Sequence, residues 1–210
     1  MKVERARASR SPDRARYVVE RYGPWLKGRL LDVGCGKAHL KVLLPDVEYT
    51  GIDVAGTPDV RVNLEEAGEL PFGEASFDTV VCTDVLEHLD NLHQVFSELV
   101  RVARGSIIVS LPNGWCKARR PIARGRGSIS YHGLPPGPPA ARHKWFFSLT
   151  EAADFLRHQE ELYPISIVEV HAVEKPRPIL LRALRRLRYP VPEAYLNRYA
   201  HTLWALLTKK

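Results

Sequence analysis

Two carboxylates around a pair of glycines are the residues best placed to do chemistry. Asp32 closes the apolar run Leu30-Leu31-Asp32, and Val33-Gly34-Cys35-Gly36-Lys37-Ala38-His39-Leu40 follows it. Glycines let a backbone turn sharply and come close to a ligand. A carboxylate beside such a turn favours a cationic or hydroxyl-bearing ligand. Asp53 closes a second apolar run 21 residues after Asp32. That is near the spacing at which an acid holds the two hydroxyls of a ribose. A dinucleotide fingerprint needs Gly or Ala five residues after its first glycine, and this chain has His39 there.

Strands must hold these residues. Residues 29–33 read as a buried strand, with a helix over 37–44 stopped by Pro45. Further strands are predicted over 47–54, 60–64, 77–82 and 106–111. Leu92, Val95, Phe96 and Leu99 mark an amphipathic helix before the last of these. The polar, Arg-rich residues 1–10 read as a frayed arm. Ser11-Pro12-Asp13 reads as a capped helix start, making 1–24 a helical arm. Ser148-Leu149-Thr150-Glu151 is a capping box opening a late helix. Strands over 165–173 and 199–207 close the chain. Alternating strands and helices predict one α/β domain over 1–210 with a mainly parallel sheet.

The motif Asp32-x-Gly34-x-Gly36-x-Ala38 resembles motif I of the class I S-adenosylmethionine (SAM) dependent methyltransferases, with Ala38 in place of the usual third glycine. Leu70-Pro71-Phe72, then Phe77-Asp78, Val85-Leu86-Glu87-His88-Leu89 and Pro112-Asn113 are similar to the type 11 group of that family. The resemblance covers about residues 29–113. It implies a Rossmann-like seven-stranded mainly parallel sheet, helices on both faces and an antiparallel last strand. It implies SAM as cofactor, held by Asp32, Gly34, Cys35, Gly36, Asp53, Val54, Asn63, Leu64 and Thr83. Asn63 would bond the adenine edge and Leu64 would pack on the ring; a plain turn Asn at 63 is an equal reading. Asp84-Val85-Leu86-Glu87 is not the Asn/Asp-Pro-Pro-aromatic motif of amino-group DNA methylases.

The acceptor side is assigned to a variable loop over 114–147. Pro121, Pro135, Pro136, Pro138 and Pro139 argue against a long regular helix there. Trp115, Tyr131 and Trp145 would exclude water, and Asn113, Tyr131 and Trp145 are the candidate substrate contacts. His88, His132 and His143 are the candidate catalytic groups. Lys117, Arg119, Arg120, Arg124 and Arg126 suit an acidic acceptor or RNA phosphates. Residues 179–188 put Ile179, Leu180, Ala183, Leu184 and Leu187 on one helical face. Docking on the protein's own core is the favoured reading of that face over an anionic membrane.

Composition narrows the classes. The net charge of +7 is compatible with an anionic partner or with solubility alone. Cys35, Cys82 and Cys116 show no paired or metal-type spacing, so no metal is expected and a reducing, cytoplasmic compartment fits. No apolar run reaches the ~20 residues of a membrane span, and the N-terminus lacks a signal peptide's apolar core. The expected function is methyl transfer to a small-molecule acceptor. RNA, protein or lipid-headgroup methylation and a non-catalytic SAM-binding scaffold are the alternatives, with nucleic acid not favoured. Nothing in the chain specifies the oligomeric state.

Overall fold

A computed structural model describes residues 1–8, 11–139 and 141–210. Its strands are β1 (Lys2–Arg5), β2 (Arg29–Val33), β3 (Glu48–Asp53), β4 (Val60–Arg61), β5 (Phe77–Thr83), β6 (Ala103–Pro112), β7 (Ile165–Glu174) and β8 (Ala200–Lys209). They form one sheet in the order β1-β7-β8-β6-β5-β2-β3-β4. β8 is antiparallel to β6 and β7, and the remaining pairs are parallel. The seven strands expected from residue 29 onward are present, the last one antiparallel. An eighth comes from the supposed arm: Lys2–Arg5 pairs in parallel with His171–Glu174 at the sheet edge. The charged side chains of β1 disguise it as solvated chain.

The helices are α1 (Ser11–Tyr22), α2 (His39–Leu43), α3 (Leu92–Val102), α4 (Gly114–Arg124), α5 (Leu149–Leu162), α6 (Ile179–Arg188) and α7 (Pro192–Tyr199). The expected Ser11 cap lies outside the described side chains. Successive strand residues point to opposite faces and sort the core. Leu30, Val81, Ile108 and Trp204 pack under α1 and α2, with Tyr17, Val18, Tyr22 and Leu40. Leu31, Val80, Ile107 and Leu203 pack under α3 and α5, with Phe96, Leu99 and Leu156. Each large buried side chain contributes roughly 1.5–3 kcal/mol. The Ser148–Glu151 capping box forms as expected, both reciprocal bonds present.

Three local expectations are corrected. The helix expected over 37–44, α2, begins at His39, not Lys37, because Ala38 is left-handed with φ 51°. The strand expected over 60–64 stops at Arg61. Part of the 114–147 segment is helical: α4 carries Pro121 inside it, is capped at its start by Asn113, and ends on left-handed Gly125. One proline removes one internal donor, which a capped helix with buried Cys116 and Ala118 tolerates. The face of α6 is also not docked. Ile179, Leu180, Leu184 and Leu187 are exposed. Its arginines turn inward instead: Arg185 pairs with buried Glu174 at 3.4 Å and stacks on Tyr199 at 4.4 Å, and Arg186 stacks on Tyr195 at 4.5 Å. Cation–π contact and an ion pair hold this helix where apolar burial was expected to.

Asn113 joins β6 to the C-terminal crossover. Its side-chain amide donates to the carbonyls of Asn197 at 2.9 Å and Ala200 at 2.8 Å, and its Oδ1 accepts from the Cys116 amide at 3.2 Å. Asn113→Ala leaves buried carbonyls unpaired and removes a cap, so it is expected to destabilise by about 2–4 kcal/mol. Urea unfolding measures this; a loss under half a kilocalorie would refute the clamp.

Candidate active site

The glycine turn sits where β2, β3 and β5 end. Gly34 has φ 73°, and a Cβ there would meet Val85 Cγ2 at 2.3 Å, so the backbone after β5 packs directly on the turn. The amides of the turn are used internally. Gly34 N and Cys35 N both donate to the Ile52 carbonyl, at 2.8 and 3.1 Å, and Gly36 N donates to Asp53 Oδ2 at 2.8 Å. A phosphate-binding turn presents those amides to its ligand at a helix N-terminus. Here none of the three is free, and α2 has only five residues. Carboxylates flank the turn in their place.

Asp32 is buried and accepts from the Tyr49 hydroxyl at 2.7 Å. Burial pushes its carboxyl up to about 7, against the opposing pull of Tyr49 and the Arg14 charge. Gly51, opposite Asp32 across the β2–β3 pair, makes the room: a Cβ there would meet the Tyr49 hydroxyl at 2.7 Å. The Cys35 thiol is raised to about 11 by burial and by Asp32 and Asp53, so it stays protonated. Asp53 Oδ1 accepts from Ala55 N at 3.0 Å. Val54 beside it is exposed, and Thr83 is half-buried at the end of β5. These residues share one sheet edge. Asn63 Oδ1 accepts from Glu65 N at 3.2 Å, a turn role, and Leu64 is buried in the core beneath α3. Leu64 therefore has little side chain left to offer a ring.

The next residues along β5 were not singled out by sequence. Asp84 is left-handed, φ 53°, an uncommon conformation outside glycine that Asp tolerates better than most. Its carboxylate is held by Arg14 of α1 at 2.8 Å and by the Ser110 hydroxyl at 2.7 Å. Glu87 is 1% exposed, and its Oε2 has no hydrogen-bond partner. Burial, then the Asp84 charge, push its carboxyl well above the usual range. A pair of acids three residues apart just after a strand was the available signal.

All three candidate histidines meet here. His88 and His143 contact edge to face at 4.6 Å, and His132 and His143 at 5.0 Å. Tyr131 stacks on His143 at 4.7 Å. Lys144 N donates to the Glu87 carbonyl at 2.8 Å, and Trp145 Nε1 donates to the Leu89 carbonyl at 2.7 Å. The loop is thereby pinned over the turn after β5. It forms an open cavity of about 740 Å³ lined by Tyr131, His132, Leu134, Arg142 and His143. Trp145 lies outside it, lining a second cavity with His93 and Phe155. Burial, with the Lys117 and neighbouring histidine charges, lowers His143 to about 3. His132 is lowered by the same causes. His143 is thus a poor proton acceptor at neutral pH. Asn113 is corrected as a substrate contact: it is fully buried, with its amide spent on backbone carbonyls.

Residues 31–109 match the Methyltransf_11 family, a methyltransferase domain. A probable S-adenosylmethionine-dependent methyltransferase of Mycolicibacterium smegmatis is 36% identical over 110 residues, covering 46% of this chain and 43% of that protein. A ubiquinone biosynthesis O-methyltransferase of Paracidovorax citrulli is 31% identical over 116 residues, covering 46% of this chain and 45% of that protein. The matched stretch thus spans less than half the length of these relatives. In fold, the chain is similar to a SAM-dependent methyltransferase from Archaeoglobus fulgidus, with TM-score 0.60, 17% identity, and 95% and 94% of the two chains covered. Residues 31–109, which hold the acid–glycine turn at their start and the Asp84–Leu89 stretch after β5, are thus similar to a methyltransferase-domain family and to SAM-dependent methyltransferases that match over the same part of the chain.

Proposed function

We propose that this protein binds SAM between Asp32, Gly36 and Asp53 and transfers its methyl group to an oxygen of a small-molecule acceptor under the 128–143 loop. One observation carries the reading. The Gly34, Cys35 and Gly36 amides are all bonded inward while two carboxylates flank the turn. That arrangement repels phosphates and favours a ligand with an ammonium, a sulfonium and a diol. The residues present fit such a ligand: a Cβ on Gly36 would meet nothing within 4 Å, so the turn has open space beside it.

Bound SAM would supply an activated methyl group for transfer to the acceptor oxygen. The chain's residues supply binding, alignment and exclusion of water. Asp32, held by Tyr49, faces the cationic end. Asp53 keeps lone pairs for the ribose hydroxyls beyond those taken by Gly36 and Ala55. Tyr131 and His143 wall the acceptor cavity. Lys117, 5.3 Å above the Tyr131 ring, and Arg142 favour an acidic acceptor. An oxygen acceptor draws support from the O-methyltransferase relative of Paracidovorax citrulli. No helix among the described residues is long and apolar enough to cross a membrane. The buried free cysteines suit the cytoplasmic setting we assign.

Two outcomes test this. Asp32 holds a proton up to about pH 7 when no cation is near. Between pH 4 and about 7 the folded protein therefore binds a proton that the unfolded chain has released, and stability attributable to Asp32 falls as pH rises. A cationic ligand reverses the preference and expels the proton. SAM affinity is then expected to strengthen with pH up to about 7 and level off above it, and Asp32→Asn is expected to flatten the profile. Calorimetry in buffers of different ionisation enthalpy reads the released proton directly. An unchanged profile in a folded Asp32→Asn protein would remove Asp32 from the site. Separately, replacing residues 126–139 with a short Gly/Ser link is expected to leave SAM binding unchanged and abolish transfer to any acceptor the intact protein methylates. Full-rate transfer by the shortened protein would place the acceptor elsewhere.

A further inference from the structure

We propose that Glu87, His88 and His143 hold a divalent transition-metal ion of the zinc class, with a coordination position left open to the acceptor cavity. Glu87 Oε1 lies 3.8 Å from His88 Nε2 and 3.9 Å from His143 Nε2, and the three atoms are all within 4.8 Å of one another. Ligands bound at about 2.0–2.2 Å stand roughly 3.0–3.5 Å apart. The carboxylate–imidazole distances exceed that spacing by roughly 0.3–0.9 Å, within reach of small side-chain rotations.

Three further features point the same way. Glu87 is 1% exposed, its Oε2 lacks any partner, and its only ion-pair partners among the described residues are these two histidines. A buried carboxylate with no cation beside it is costly. His88 Nδ1 donates to the Arg142 carbonyl at 2.9 Å, which leaves the Nε2 lone pair aimed at Glu87. Metal-bound histidines are oriented by that kind of outer contact. His143 lines the 740 Å³ cavity, so an ion here has room on one side. A second cluster, Glu4, Glu169 and His171, shows the contrast. Arg21 bridges both of its glutamates, and Tyr17 bonds Glu4 at 2.7 Å and His171 at 2.7 Å. Its charges are already compensated.

Two imidazoles and one carboxylate suit zinc, cobalt or ferrous iron better than magnesium or calcium, which take all-oxygen sets. The role of the ion rests on the methyl-transfer reading; the site itself does not. An acceptor hydroxyl bound to the open position loses its proton to water, and the oxygen keeps the bonding pair. That pair then forms the bond to the methyl carbon, and the carbon–sulfur pair leaves with sulfur as a neutral thioether. No protein base is then needed.

The test uses the full chain, stripped with chelator and titrated with Co²⁺ alone, reading visible ligand-field absorption and calorimetric stoichiometry. One equivalent is expected to bind. Glu87→Gln and His88→Asn should each weaken it by more than roughly 100-fold, beyond the loss from an outer-shell contact. Glu169→Gln, in the compensated cluster, should change nothing. Glu87→Gln keeps the shape of a buried residue and His88 is partly exposed, so at least one variant reports on a folded protein, with thermal unfolding as the check. Absence of stoichiometric binding, or binding unchanged in both variants, overturns the site. SAM binding is measured on the same samples: intact SAM binding with no cobalt site rejects the metal alone, and loss of SAM binding rejects the cofactor reading alone.

Discussion

Three successive backbone amides at the tip of β2 are bonded inward, and the rest of the site depends on that. Gly34 and Cys35 share the Ile52 carbonyl, and Gly36 is taken by Asp53. A glycine turn after a parallel strand ordinarily offers its amides to an anion. Here β3 consumes them, and the turn becomes a rigid shelf with acid on both sides. The strand order places β5 and β3 on either side of β2, so the same shelf adjoins the backbone after β5. Val85 packs on Gly34 so closely that no side chain fits at that position.

Beyond the shelf, a chain of charge runs toward the 128–143 loop. Arg14, from the N-terminal helix, neutralises Asp84. Glu87, one turn further on, has no arginine or lysine partner among the described residues and faces two imidazoles. The 143–145 backbone and the Trp145 indole tie the loop to the residues 87–89 carbonyls. One short stretch after β5 thus touches the glycine turn through Val85 and the cavity-lining loop through Glu87 and His88. If SAM and its acceptor bind on these two sides, as proposed, a common rigid segment fixes both, which is what an in-line transfer requires.

Much of this was legible in the residues. Short apolar runs placed the strands, because a strand inside a parallel sheet buries both faces, and Asp32, the glycines and Asp53 fell on one edge as expected. The three histidines were singled out one by one, and their meeting was not visible, because 55 residues and a loop separate His88 from His143. Four features lay beyond local patterns. The edge strand Lys2–Arg5 is charged because an edge is solvated. Asn113 reads like a site residue but serves as a clamp, which depends on the distant carbonyls of Asn197 and Ala200. The prolines of 114–147 argued against a long regular helix, and the Asn113 cap that lets α4 form around Pro121 was not recognised in the sequence. In α6 the arginines found tyrosine rings and left the leucines outside, a preference set by neighbours on α7 and β7.

The central claim is that two carboxylates around an inward-bonded turn bind SAM. The most direct measurement is calorimetric titration of the intact protein and of Asp53→Ala with SAM, with NAD as the competing ligand. The account predicts SAM binding, no NAD binding, and a loss in the variant of about 1.5–3 kcal/mol, the worth of charge-assisted hydrogen bonds to the diol. Unchanged SAM affinity in a folded Asp53→Ala protein, or NAD binding in preference to SAM, would contradict it.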